Sequence, residues 1–100
     1  MRELIRRLEV PVSDKSMELS YYLLSQKSES AFLCEAVEGM IYGISVEADS
    51  LEVRGFYTYE TALGFSYLKS EALDFINEIA DAKVTPAGFL AVIDEYVENF

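Results

Sequence analysis

Apolar and polar residues alternate along the first half of the chain and recur at helical spacing towards its end. Leu8, Val10 and Val12 alternate with Arg7, Glu9 and Pro11, which predicts a first strand over Leu4–Val12. Pro11 and the neighbouring charges suit a sheet edge, where a missing N–H and a repulsive rim do least harm. Ser13–Ser16 is a turn cluster, and Met17–Gln26, rich in Tyr and Leu, predicts a second strand. Pairing Val12 with Met17 would set Val10 against Leu19 and Leu8 against Tyr21, giving one apolar face.

Lys27–Ser30 is the next turn, and Ala31–Ala48 then admits two readings. Glu38 and Gly39 could turn a short hairpin, or the chain could run through as one long strand bent at Gly39 or Gly43. Pairing Gln26 with Ala31 places Phe32, Cys34 and Ala36 on the face of Leu19, Tyr21 and Leu23. A continuous strand keeps Met40, Tyr42, Ile44 and Val46 on that face, whereas a two-residue turn flips them. The long strand is preferred, and its length demands a bend or bulge. Asp49 and Ser50 then make a turn into a strand over Leu51–Tyr59. Pairing Ala48 with Leu51 sets Val46 opposite Val53, Tyr42 opposite Tyr57 and Met40 opposite Tyr59. It also sets Glu47 against Glu52, a tolerable clash at a solvated hairpin end. Glu60–Lys69 has the weakest pattern: Gly64 suggests a bend, and Phe65, Tyr67 and Leu68 need burial.

Two helices follow. Ser70 reads as the N-cap of a helix over Glu71–Ala82, with Leu73, Ile76, Ile79 and Ala80 as its apolar side, flanked by Ala72 or Phe75. Asp81–Val84 connects it to a closing helix that Thr85 caps and Pro86 begins. Phe89, Leu90, Ile93, Tyr96, Val97 and Phe100 fall on one face of this second helix, with Asp94, Glu95 and Glu98 on the other. The expected architecture is α+β: an antiparallel meander of about four strands with two C-terminal helices on one face, ββββαα. All 100 residues are expected in a single domain.

Composition narrows the classes. Apolar residues make up 51% of the chain, enough for a core without disulfide or metal support. No apolar run is long enough to span a membrane, and Arg6, Arg7 and Glu9 interrupt any signal-peptide core. Cys34 is the single cysteine. These features lead us to expect a cytoplasmic protein without membrane association. The net charge of −10 resides in residues 31–100, where 13 acids face three bases. Such a surface repels phosphate backbones, so no nucleic acid is expected as a partner, while a basic protein is permitted. Solubility alone would also account for the charge.

The chain carries no catalytic motif. It has no histidine, which removes triads built on that base. Cys34 reads as a small inward-facing hydrophobe rather than a reactive thiol. Zinc and iron sites lose their usual ligands, leaving only an all-carboxylate site to consider. Gly39, Gly43, Gly55, Gly64 and Gly88 form no phosphate-binding loop, so no cofactor is expected. Glu71, Asp74, Glu78 and Asp81 line one helical face, and Asp94 and Glu98 line another. Acidic stripes are ordinarily solvated faces; here the like-charge spacings carry small costs of one sign, which suits a basic partner. The sheet's second face carries Tyr22, Leu24, Leu33, Val37, Ile41 and Phe56 on these registers. Either residues 60–69 or the N-terminal segment cover it, or it docks a protein or a second copy of the chain. Glu47, Glu52, Tyr57 and Tyr59 are raw material for a small-ligand site or an enzyme. An acidic mimic of nucleic acid is a further alternative.

The runs YYLL at Tyr21–Leu24, YGISVE at Tyr42–Glu47 and VTPAGFLAVIDEYVE at Val84–Glu98 resemble a family of short, uncharacterised Firmicutes proteins, a domain of unknown function. The resemblance covers most of the chain. It implies a bacterial cytoplasmic setting and carries no activity or residue role. The second sheet face and the acidic helix faces lead instead to the expectation of a small non-enzymatic protein-binding or regulatory module, as a monomer or a homodimer.

Overall fold

A computed structural model describes residues 2–12, 15–27, 40–50 and 57–98. Strands β1 (Arg2–Val12), β2 (Lys15–Lys27), β3 (Met40–Ser50) and β4 (Tyr57–Ser66) are followed by helices α1 (Lys69–Asp81) and α2 (Pro86–Glu98). The strands form one antiparallel sheet in the order β1-β2-β3-β4, so each strand pairs with its sequence neighbour. The expected ββββαα architecture is present.

Both helices cover one face of the sheet, α1 over β1, β2 and β3, and α2 over β3 and β4. The core lies between the layers. Leu19, Tyr21 and Leu23 of β2 and Tyr42, Ile44, Val46 and Ala48 of β3 meet Ala72, Phe75, Ile76 and Ile79 of α1 and Phe89 of α2. Phe65, Phe75 and Tyr96 close the layer where β4, α1 and α2 converge, with ring centroids 4.8 to 5.2 Å apart. Such tilted aromatic contacts add to simple area burial.

Three strand registers differ from expectation. Leu8 pairs with Leu19 and Val10 with Met17, two residues from the expected match. An even displacement keeps the same face inward, because side chains alternate with period two. Gln26 pairs with Ile41 rather than Ala31. This displacement of ten is also even, so Tyr42, Ile44 and Val46 still share a face with Leu19, Tyr21 and Leu23. The expected long strand is therefore replaced, in its pairing with β2, by Met40–Ser50; Phe32, Cys34, Ala36 and the possible turn at Glu38 lie outside the described residues.

The third displacement is odd and changes faces. Asp49 and Ser50 continue β3 rather than turning, and Ala48 pairs with Thr58, seven residues beyond Leu51. Tyr57 and Tyr59 consequently lie opposite Asp49 and Glu47, on the face away from the helices, and not opposite Tyr42 and Met40. Residues 60–66, the stretch with the weakest pattern, form most of β4. Their pattern is masked by an irregularity: Tyr42 pairs with Ser66 but Ile44 with Ala62, leaving Leu63, Gly64 and Phe65 opposite Gly43. Gly64 takes φ +65°, a conformation that favours glycine.

The helices also depart in detail. α1 starts at Lys69 with Leu68 in the cap position and no side-chain cap bond, so Ser70 is not its N-cap. Ser66 serves the turn instead, its hydroxyl accepting the Leu68 N–H at 3.0 Å. At the other end Lys83 N–H donates to Ala80 and Val84 N–H to Ile79, both at 3.0 Å, the paired bonds of a Schellman cap. Lys83 occupies the left-handed position at φ 56°. α2 begins at Pro86 directly after Thr85, as expected. Leu90 is 48% exposed, and Val92 takes its place beside Ile93 and Tyr96 against the core.

Candidate functional site

β1 contains a bulge between Leu4 and Arg6. Up to Arg6 the strand pairs regularly, with Arg6 opposite Tyr21. Beyond it, Leu4 pairs with Tyr22 and Arg2 with Leu24. The extra residue switches Arg2 and Leu4 to the outer face of the sheet. There Arg2 meets Glu47 of β3, with Nη2 2.6 Å from Oε2, and lies 3.7 Å over the Tyr22 ring. Tyr57 donates its hydroxyl to the other carboxylate oxygen of Glu47, and its ring lies 5.9 Å from that of Tyr59.

Glu47 is only 8% exposed, so its charge requires compensation, and the guanidinium and phenol supply it. The hydrogen bond to Glu47, followed by burial, pushes the Tyr57 hydroxyl up to about 12. Tyr57 therefore keeps its proton at neutral pH and acts as a donor, not as a base or nucleophile. Beside this cluster Arg7 bonds Glu18 at 3.3 Å and Ser20 at 3.4 Å, and Ser45 bonds Thr61 at 3.2 Å. The outer face is thus laced with polar contacts, yet Tyr57 and Tyr59 remain 51% and 63% exposed.

Of the residues expected on this face, Tyr22, Leu24 and Ile41 are partly buried, while Leu33, Val37 and Phe56 lie outside the described residues. The two segments considered as its cover are both edge strands: residues 60–66 belong to β4 and the N-terminal segment to β1. Glu47, Tyr57 and Tyr59 are brought together, and Glu52 lies outside the described residues. Arg2 was missed because apolar alternation begins only at Leu4 and nothing in that pattern announces the bulge.

The expected acidic face divides. Asp81 accepts from Arg6 at 3.2 Å, and Asn77 accepts from the same guanidinium at 3.2 Å. Arg6 thereby brings a cation to the C-terminal turn of α1, which has no basic residue of its own. Glu71 accepts the Tyr96 hydroxyl at 3.0 Å. Burial first, then this bond, raises the ionisation of Tyr96 above its ordinary range. Asp74, Glu78 and Asp94 stay exposed, and Glu98 ends α2. Among the described residues no three such side chains are grouped to hold a metal ion, and no helix is long and apolar enough to cross a membrane.

Fold and surface together define an α+β protein, a four-stranded meander with a two-helix lid on one side and an ordered Arg/Tyr/Glu cluster on the other. The chain belongs to a family of unknown function, DUF6514, which matches residues 1–99. No curated protein matches it, and no solved structure does.

Proposed function

We propose that this chain is a small non-enzymatic protein-binding module whose binding surface is the outer face of the sheet, and that a second copy of the chain occupies it. The supporting observation is the clamp on Glu47. It holds Arg2 and Tyr57 in fixed positions while leaving Arg2 about half exposed, its side chain at 49%. Tyrosine and arginine anchors held in place before binding are the residues that dominate protein interfaces.

The layout of the face also suits self-association. Arg2 and Arg7 lie at the β1 edge, and Tyr57 and Tyr59 lie at the β4 edge. A two-fold axis along the strands would set β1 of one copy over β4 of the other, placing guanidinium groups against tyrosine rings twice.

Sedimentation velocity tests the reading. The expected result is a dimer that Tyr59→Asp converts to a monomer. A wild-type monomer whose Tyr57 and Tyr59 also resist nitration would mean that the chain covers this face itself, and would overturn the reading. A monomer with both rings reactive would remove self-association and leave the face to a different protein.

A small-ligand site on Glu47, Tyr57 and Tyr59 is a second reading, favoured by their convergence. Two features weigh against it: both Glu47 oxygens are engaged, and Tyr57 holds its proton.

A further inference from the structure

A groove of about 310 Å³ runs between α1 and α2. Its walls are mainly apolar, from Phe75, Ile79, Val84 and Val92, and its rim carries Glu78 and Glu95. It borders a second hollow of about 300 Å³ that shares Phe75 and Glu78 and adds Glu71 and Asp74.

Three acids elsewhere in the fold are answered by arginines: Glu47 by Arg2, Glu18 by Arg7 and Asp81 by Arg6. Among the described residues Glu78 and Glu95 have no cationic partner, and both are exposed. Neither helix has a basic residue in its last turn, where the negative end of the dipole would favour one. Lys83 lies between two lining residues, Ala82 and Val84, but forms no ion pair with either acid. The groove therefore combines an apolar floor with an unanswered negative rim.

We propose that this groove receives a cationic amphipathic segment of another protein. Apolar side chains of the segment would enter between Ile79 and Val92, and flanking Lys or Arg side chains would reach Glu78 and Glu95. This is the helix-in-groove mode of recognition, with charge at the rim fixing orientation. The surface is on the helix side of the molecule and does not depend on the outer sheet face.

The test is a titration of the ¹⁵N-labelled full chain with an amphipathic peptide of leucine and lysine, beside a leucine–glutamate peptide of equal length. The expected result is amide shifts at Ile79, Val84, Val92 and Glu95 with the lysine peptide alone, weakened by added salt. Glu78→Lys with Glu95→Lys should raise Kd by at least about tenfold. The same charge change outside the groove, at Asp49 and Asp94, should alter Kd by less than about threefold. Circular dichroism checks that both double variants fold. Absence of shifts in the groove, or equal loss from the two double variants, would overturn the proposal. Tyr59→Asp should leave peptide binding unchanged, which separates this site from the outer face.

Discussion

The Tyr21 hydroxyl donates a 2.8 Å hydrogen bond to the Val84 carbonyl, joining the middle of β2 to the connection between α1 and α2. Tyr21 is fully buried, so this bond both satisfies the phenol and fixes where the two helices part. Tyr21→Phe would keep the packing but leave the Val84 carbonyl without this donor. The expected loss is about 1–2 kcal/mol, read from urea unfolding.

Alkaline pH should destabilise the fold through the same residue. Burial raises the Tyr21 hydroxyl from 10.0 to about 12. A raised folded value means that the stabilisation is fully present below pH 10 and is lost as pH rises towards 12. Unfolding free energy should therefore fall across that window, by on the order of 2 kcal/mol from this group. Urea titrations at stepped pH check it: Tyr21→Phe should flatten the dependence.

Tyr57 titrates late for a different reason, its bond to Glu47. In Glu47→Gln the acceptor keeps its shape and loses its charge. The Tyr57 midpoint should then move down from about 12 towards the ordinary 10.0. The ¹³Cζ shift of Tyr57, followed by NMR against pH, reads this directly, and an unmoved midpoint would show that Glu47 does not govern it.

Gly43 has no room for a side chain. A Cβ there would lie 2.6 Å from the Ala62 carbonyl oxygen, a backbone atom that cannot swing aside. Gly43→Ala should force β3 and β4 apart opposite the irregularity at Leu63–Phe65. The expected cost is about 1–3 kcal/mol, visible as a lower urea midpoint with the slope unchanged.

Opposite signs are expected at the two described residues with positive φ. Lys83 holds φ 56° with a side chain that disfavours it, so Lys83→Gly should stabilise by up to about 1 kcal/mol. Gly64 holds φ +65° as a glycine, so Gly64→Ala should destabilise by about 1 kcal/mol. Thermal midpoints of both variants against the wild type test the pair.

The order of elements and the inner face were legible in the residues themselves. Alternation determines which side chains point the same way, and Leu19, Tyr21, Tyr42, Ile44 and Val46 remained together although two registers slid. Sliding by an even number is invisible to alternation, whereas sliding by an odd number is not. Tyr57 and Tyr59 changed sides because β4 pairs seven residues further along than Leu51 suggested, an odd displacement. The start of α1 eluded cap chemistry for a related reason: Ser66, still in the last position of β4, supplies the hydroxyl for the turn. The Arg2–Glu47–Tyr57 cluster needed coordinates altogether, since it draws on three strands and one bulge.

That bulge sets two residues, Ile5 and Arg6, against one position of β2, and Ile5 packs partly buried against the core. Were β1 to pair without the bulge, Ile5 would take the place opposite Tyr22, Leu4 that opposite Leu23 and Arg2 that opposite Ser25. Arg2 and Leu4 would then aim beneath α1, and Glu47 would be stranded without its counter-ion. The character of one whole side of the molecule is thereby governed by a single step in the pairing near the start of β1.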